Sequence, residues 1–149
     1  MILLDTNILA RVIQKGHPHH RPALEAIVEL RLRMREVPVI APQVIVEFYA
    51  ICTRPQNGLG LTADQTIAEI AQIKRENPLL PESPSIFENW ELLIQKYKVT
   101  NRHVYDLRFV AFMLTHNIPR ILSFNDVDFA QFSEIQVMNP FDILNIPRV

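Results

Sequence analysis

The residues Met1-Ile2-Leu3-Leu4-Asp5-Thr6-Asn7 join a short apolar run to a polar turn, and this junction is the clearest indication of the fold. Consecutive apolar residues are typical of a strand that is buried on both faces. Asp, Thr and Asn favour helix starts, and the next residues predict a short helix from Ile8 to Gln14. A buried strand followed at once by a helix indicates an α/β sheet.

The same alternation continues along the chain. Apolar runs predict further strands at 37–41, 120–123 and 135–138, and a short edge strand is expected at 77–81. Helices are expected at 19–36, from Pro42 onward, at 62–75 with a Thr62/Gln65 capping box, at 83–97 and at 102–116. Turn residues predict a loop at 54–60, and 126–132 is expected to be helix or turn. The pattern predicts one α/β domain over 1–149, with a mostly parallel central sheet flanked by helices on both faces.

Two of these segments carry predictions about their exposure. The long helix at 19–36 is expected to bury an apolar stripe at helical spacing, made of Leu24, Ile27, Val28, Leu32 and Met34. The turn that holds His17, His19 and His20 lacks a regular ligand spacing, so we expect a solvated loop there.

Composition and charge exclude several classes of protein. Lys and Arg number 15 against 16 Asp and Glu, a net charge of −1 that argues against broad, charge-driven binding of nucleic acid. The single cysteine, Cys52, excludes an intramolecular disulfide and a cysteine-based zinc site, and it is expected to be packed. No apolar run suits a membrane span, and the N-terminus lacks the basic flank of a leader, so we expect a cytoplasmic protein with no membrane partner.

Several acidic residues lie within or directly after apolar strands and helices, where charged side chains are uncommon. Asp5 follows the first strand and would point into the crevice where α/β folds bind ligands, although a helix cap explains it equally well. Glu47 has apolar neighbours at helical spacing, which favours either a metal or an arginine as its partner. Asp106 lies near the start of an apolar helix. Either it belongs to the same site, or it is there because the helix dipole favours a carboxylate near a helix N-terminus.

Two further acids, Asp126 and Asp128, follow the strand at 120–123. One alternative is that they only cap a turn. Carboxylates gathered at one sheet edge would repel one another until cations filled the site, and Mg²⁺ and Mn²⁺ prefer such oxygen ligands. Bound ions of this kind can activate water and stabilise charge on a phosphodiester, so the acids favour metal-dependent phosphodiester hydrolysis.

Four segments together resemble the motifs of the PIN-domain family, most closely its VapC-like toxins. They are the opening Met-Ile-Leu-Leu-Asp-Thr-Asn-Ile-Leu, Glu47 in its helix, Tyr105-Asp106-Leu107 with Val110-Ala111, and Ile121-Leu122-Ser123-Phe124-Asn125 with Asp128-Phe129. The closing segment 135–140 is similar to the last strand of that family. The resemblance spans nearly the whole chain and implies a PIN-like fold.

The resemblance also implies roles for individual residues. Asp5, Glu47, Asp106 and Asp128 match the catalytic and metal-binding acids, while Asn125 and Asp126 remain alternatives for the fourth position. Thr6, Asn7, Ser123 and Asn125 match supporting polar positions. Apart from the resemblance, Arg102 and His103 are expected to contact substrate phosphate, because they flank Asp106. The chain departs from the family at Tyr105, where His is frequent, and at Leu107 and Arg108, where small residues are common.

The implied function is a Mg²⁺- or Mn²⁺-dependent endoribonuclease, the toxin of a toxin–antitoxin pair. Its implied partners are an RNA substrate, an antitoxin protein and a second copy of the chain in a homodimer. The alternative is a catalytically inactive PIN-like module that binds nucleic acid or protein. A phosphotransferase that uses an Asp nucleophile fits less well, because Asp5-Thr6-Asn7 supplies no second acid.

Overall fold

The computed structural model describes residues 1–148. Four strands form the sheet: β1 (Ile2–Leu4), β2 (Pro38–Val39), β3 (Arg120–Leu122) and β4 (Gln136–Met138). The helices are α1 (Thr6–Ile13), α2 (His20–Leu32), α3 (Pro42–Thr53), α4 (Ala63–Glu76), α5 (Pro84–Tyr97), α6 (His103–Thr115), α7 (Asp126–Phe129) and α8 (Pro140–Leu144).

The sheet has the order β2-β1-β3-β4, and every pair of neighbouring strands is parallel. Ile2, Leu3 and Leu4 of β1 are fully buried, and successive strand side chains point to opposite faces, so both faces of the sheet are covered. Burying each of these side chains contributes about 1.5–3 kcal/mol. The predicted α/β class with helices flanking a parallel sheet is confirmed.

The strand order places the ends of β1 and β3 at a switch point. From β1 the chain passes to β2 on one side, and it later returns to β3 on the other side. Ile2, Leu3 and Leu4 pair in register with Arg120, Ile121 and Leu122, so the two strands end side by side. In open α/β sheets the crevice at such a switch point is the usual ligand site. Asp5 and Ser123 are the first residues beyond these two strands.

The apolar stripe predicted for α2 is wrong in most of its members. Leu24, Val28, Leu32 and Met34 are 39–75% exposed, and Ile27 is the only one of the five that is buried. The buried face consists instead of Ala23, Ala26, Ile27 and Leu30. α2 packs against both α1 and α8, and small alanines allow close approach. The helix also ends at Leu32, because Arg35 has a positive φ of 53° and the Glu36 N–H turns back to the Leu30 carbonyl.

Other local expectations have mixed outcomes. Thr62 and Gln65 form the expected reciprocal capping box, and Cys52 is buried. The edge strand expected at 77–81 is reduced to one parallel bridge between Ile40 and Leu79. The histidine turn is partly buried rather than solvated, since His19 stacks on Phe124 with ring centres 4.5 Å apart. Within residues 1–148, no helix is both long and apolar enough for a bilayer span.

Candidate metal centre

Asp5 occupies the cap position of α1, but its side chain makes no capping hydrogen bond. The carboxylate is buried, and Oδ2 accepts hydrogen bonds from Ser123 Oγ at 2.5 Å and from Asn7 Nδ2 at 2.7 Å. The helix-cap explanation of Asp5 is therefore wrong. The side chain is directed toward the end of β3 instead.

Asn7 and Ser123 tie the two strand ends together. Asn7 Nδ2 donates to Ser123 Oγ at 3.0 Å, and Asn7 Oδ1 accepts from the Phe124 N–H at 3.2 Å. Ser123 Oγ also accepts from the Asn125 N–H at 2.9 Å. These bonds fix the loop after β3 against the start of α1, so the buried Asp5 carboxylate is held in one orientation.

Glu47 lies one turn into α3 and faces the same region. Thr6 Oγ1 donates to Glu47 Oε2 at 2.9 Å, and Gln43 Nε2 donates to Oε1 at 2.7 Å. Within residues 1–148, none of the ion pairs joins Glu47 to an arginine. The nearby Arg108 contacts Gln43 and Glu82 instead. An arginine partner therefore does not explain this acid.

Asp106 and Asp128 lie together with His103. One ligand atom from each of the three residues lies within 4.8 Å of the other two. His103 Nδ1 is 3.2 Å from Asp106 Oδ2, and Asn125 Nδ2 donates to Asp128 Oδ2. His103 was expected to contact substrate phosphate, but its ring nitrogen faces the Asp106 carboxylate. Arg102 is exposed, with Nη2 3.5 Å from Asp128 Oδ1.

Asp126 is separated from this group by its partners. Its Oδ2 lies 2.8 Å from Arg148 Nη1, and its Oδ1 lies 3.4 Å from Asn139 Nδ2. Asp126 and Asp128 lie in the same short helix, yet Asp126 forms a close ion pair with Arg148, whereas Asp128 lies beside Asp106 and His103, with the exposed Arg102 3.5 Å away. This difference makes Asp128 the better placed of the two for a shared site.

The acids are close enough to affect one another's ionisation. Burial raises the pKa of Asp5 to about 6, and the charges of Glu47 and Asp106 add to the rise. Burial also raises the pKa of Asp106, with contributions from Asp128 and Glu47. The α6 dipole would lower the pKa of Asp106, so it is not the dominant influence on this carboxylate.

These residues fit a hard divalent cation. The donor set offers carboxylate oxygens from Asp5, Glu47, Asp106 and Asp128, with one imidazole from His103. Burial and the neighbouring carboxylates raise the pKa of both Asp5 and Asp106, and His103 opposes only part of the rise at Asp106. A bound cation would relieve both costs.

The sequence did not predict that Gln43 contacts Glu47 or that His103 contacts Asp106. Gln43 lies one helical turn before Glu47, and the i, i+4 spacing that brings them together was available in the sequence. His103 lies at i−3 from Asp106, which is also a helical neighbour spacing. Both signals are weak, because most such pairs are ordinary surface neighbours.

The parallel sheet and the acids at its switch point define an α/β protein with a carboxylate-rich site. A model of the PIN domain family matches residues 2–135. The chain therefore belongs to the PIN domain family. A comparison with curated proteins gives no match.

Solved structures that this chain resembles include two VapBC structures and one VapC toxin. VapBC-1 from nontypeable Haemophilus influenzae is 17% identical, with 94% of this chain and 98% of that chain covered and a TM-score of 0.67. VapBC2 from Rickettsia felis, bound to a DNA fragment from its promoter, is 15% identical, with 93% and 98% covered and a TM-score of 0.66. VapC20 from Mycobacterium tuberculosis, a sarcin-ricin loop cleaving toxin, is 18% identical, with 91% and 98% covered and a TM-score of 0.62. At these identities the likeness establishes the fold alone.

Proposed function

We propose that this protein is a divalent-metal-dependent endoribonuclease that hydrolyses RNA phosphodiesters. The observation that carries the proposal is that Asp5 and Glu47 interact electrostatically with Asp106, which lies beside Asp128, while no basic side chain of residues 1–148 forms an ion pair with Asp5 or Glu47. Such a group is costly in the absence of a cation and useful in its presence. Membership of the PIN domain family supports the same conclusion.

The four acids would hold Mg²⁺ or Mn²⁺, ions that prefer oxygen ligands. When bound, such an ion supplies a more acidic water and stabilises negative charge on the phosphodiester. Ser123 and Asn7 orient the Asp5 carboxylate, while Thr6 and Gln43 orient Glu47. Asn125 restrains Asp128. The exposed Arg102 can attract a substrate phosphate to the edge of the site.

The cellular setting is also part of the proposal. We infer that the chain is one PIN-like domain, acts in the cytoplasm as the toxin of a toxin–antitoxin pair, and forms a homodimer. Its fold is that of proteins solved as VapBC complexes, which supports an antitoxin partner. A small adjacent gene whose product copurifies with the chain would identify that partner, and light scattering would give the oligomeric state.

RNA cleavage in Mn²⁺ or Mg²⁺ tests the enzymatic proposal. Asp5→Asn keeps the size of the side chain and should reduce cleavage at least about 100-fold. Asp142→Asn is the matched control, because that carboxylate is 61% exposed and pairs with Arg148, away from the site. Equal cleavage by wild type and Asp5→Asn would contradict the proposed site. If the wild type neither cleaves RNA nor binds Mn²⁺ by calorimetry, the inactive binding module would be the better account.

A further inference from the structure

A second polar pocket lies beside the carboxylate group, on the α1 side. It has a volume of about 490 Å³ and lies between α1 and the loop at 54–60. Its polar lining consists of Asn7, Arg11, Gln14, His17, Arg54 and Asn57. Within the described part of the chain, no Asp or Glu lines this basic pocket. Glu69 lines a separate neighbouring cavity.

The basic pocket adjoins the proposed metal site at Asn7. Asn7 Nδ2 donates to Asp5 Oδ2 at 2.7 Å, and Asn7 also lines the pocket. Asn7, Arg11 and Gln14 have helical i, i+4 and i+7 spacing, which places them on one face of α1. Arg11 is therefore about 6 Å along the helix axis from Asn7. A strand bound at the metal site would bring a neighbouring phosphate within reach of Arg11.

The loop that supplies Arg54 is fixed by backbone contacts. The N–H groups of Leu59, Gly60 and Leu61 donate to the carbonyls of Ile51, Arg54 and Cys52 at 3.1, 3.2 and 2.8 Å. A Cβ at Gly58 would lie only 2.4 Å from the Arg54 carbonyl oxygen, so this turn requires glycine. The end of α3 and the loop therefore form a built wall of the pocket.

The cations of the pocket are available to an anion. Among the ion pairs of residues 1–148, neither Arg11 nor Arg54 has a carboxylate partner, and Arg11 donates only to Gln14 Oε1. The His19 N–H donates to His17 Nδ1 at 3.0 Å, so the neutral His17 ring carries its proton on Nε2. Arginine forks match the geometry of phosphate oxygens.

We propose that the basic pocket binds a backbone phosphate of a single-stranded RNA whose neighbouring phosphodiester lies at the carboxylate group. This inference rests on the ribonuclease function proposed above. The net charge of −1 gives the chain no general attraction for RNA, so a local cationic anchor is needed beside a repulsive acidic site. The pocket supplies that anchor without adding positive charge to the metal ligands.

Fluorescence anisotropy with a labelled single-stranded RNA, in EDTA and over a range of KCl concentrations, tests the pocket without cleavage. Arg11→Gln and Arg54→Gln should each weaken binding about 10-fold. Each should also reduce the slope of log affinity against log salt by about 0.7, as expected for one lost phosphate contact. Arg11→Lys and Arg54→Lys should retain the wild-type slope, because the charge remains.

Arg33→Gln is the matched control, since it removes the same charge from a side chain that is 81% exposed and paired with Glu29. It should leave both affinity and slope unchanged. Wild-type affinity and slope in both pocket variants would overturn the proposal, even if inorganic phosphate binds the wild type. Losses in all three variants alike would also overturn it, because the effect would then be general charge.

The two proposals fail in different ways. A wild type that binds RNA through Arg11 and Arg54 but cleaves none in Mn²⁺ would contradict the ribonuclease function alone. A wild type that cleaves RNA while both pocket variants bind it normally would contradict the pocket alone. Circular dichroism and thermal unfolding of each variant establish that the fold is retained.

Discussion

Acidic residues at the two ends of the parallel strands have different partners. We call these ends the amino edge, where the strands begin, and the carboxyl edge, where they finish. At the amino edge, Glu36 precedes β2 and forms an ion pair with Arg120 at the start of β3. At the carboxyl ends of the strands, Asp5 is buried, but its described side-chain partners are a hydroxyl and an amide, and burial raises its pKa to about 6. At the amino ends the fold itself supplies a cationic partner for the acid. At the carboxyl ends the buried Asp5 has no such partner among the ion pairs of residues 1–148, which is consistent with the proposed metal site.

Replacing a carboxylate by an amide should reduce RNA cleavage at the carboxyl edge but not at the amino edge. Glu47→Gln should reduce Mn²⁺-dependent RNA cleavage about 100-fold, because it removes a charge from the proposed metal site while keeping the bonding capacity of the side chain. Glu36→Gln makes the same chemical change at the other edge and should leave cleavage within about 2-fold of the wild type. Similar losses in the two variants would remove the distinction between the edges.

The same contrast exists within one short helix. Asp128 lies beside Asp106, whereas Asp126 pairs with Arg148. Asp128→Asn should reduce cleavage about 10-fold, and its apparent Mn²⁺ requirement should rise. Asp126→Asn should leave the Mn²⁺ requirement unchanged. If the two variants exchange these phenotypes in a metal titration of cleavage, Asp126 and not Asp128 completes the site.

The smallest effect is expected at the amino edge. Glu36→Gln removes the charge that pairs with Arg120, a side chain that is 30% exposed, and with the Met1 amino group 3.0 Å away. Because solvent screens this pair in part, the loss should lower the free energy of unfolding by only about 1 kcal/mol. Urea denaturation at constant m-value measures it. If Glu36→Gln were more stable than the wild type, the ion pair with Arg120 would not offset the cost of the Glu36 charge, and the contrast with Asp5 would fail.

The sequence predicted the sheet because β1 and the buried part of β3, Ile121 and Leu122, are apolar up to the point where the strands end. Asp5 and Ser123 then stand out at the two strand ends, and parallel pairing brings them together. The buried face of α2 was not predictable in this way. Which face of α2 is buried depends on α8, a helix absent from the predicted elements. It also depends on alanines, which carry only a weak apolar signal in the sequence.

Within the candidate site, residue type and strand position indicated the acids but not their partners. Asp126 and Asp128 have the same chemistry and nearly the same local sequence position. Their different settings depend on Arg148 and Asp106, which are distant in sequence. The position of His103 near Asp128 likewise depends on the contact between α6 and α7. Tertiary packing determines these side-chain partners, and local sequence patterns contain no information about it.

The stability of the metal-free protein reports directly on the central claim, that Asp5 is an uncompensated acid at a metal site. Its pKa of about 6 in the folded protein exceeds its ordinary value of 3.8, so folding favours the protonated form. The stability that this form contributes is fully present below pH about 4 and is lost as the pH rises through about 6. Asp5→Asn removes that loss and leaves an oxygen to accept from Ser123 and Asn7.

The decisive measurement is denaturant unfolding of wild type and Asp5→Asn at several pH values, with and without Mn²⁺. In EDTA at pH 8, Asp5→Asn should be the more stable protein by about 2–3 kcal/mol, and the difference should shrink toward pH 4. Mn²⁺ should stabilise the wild type and have little effect on Asp5→Asn. A less stable Asp5→Asn protein at pH 8, or equal stabilisation of both proteins by Mn²⁺, would contradict the claim.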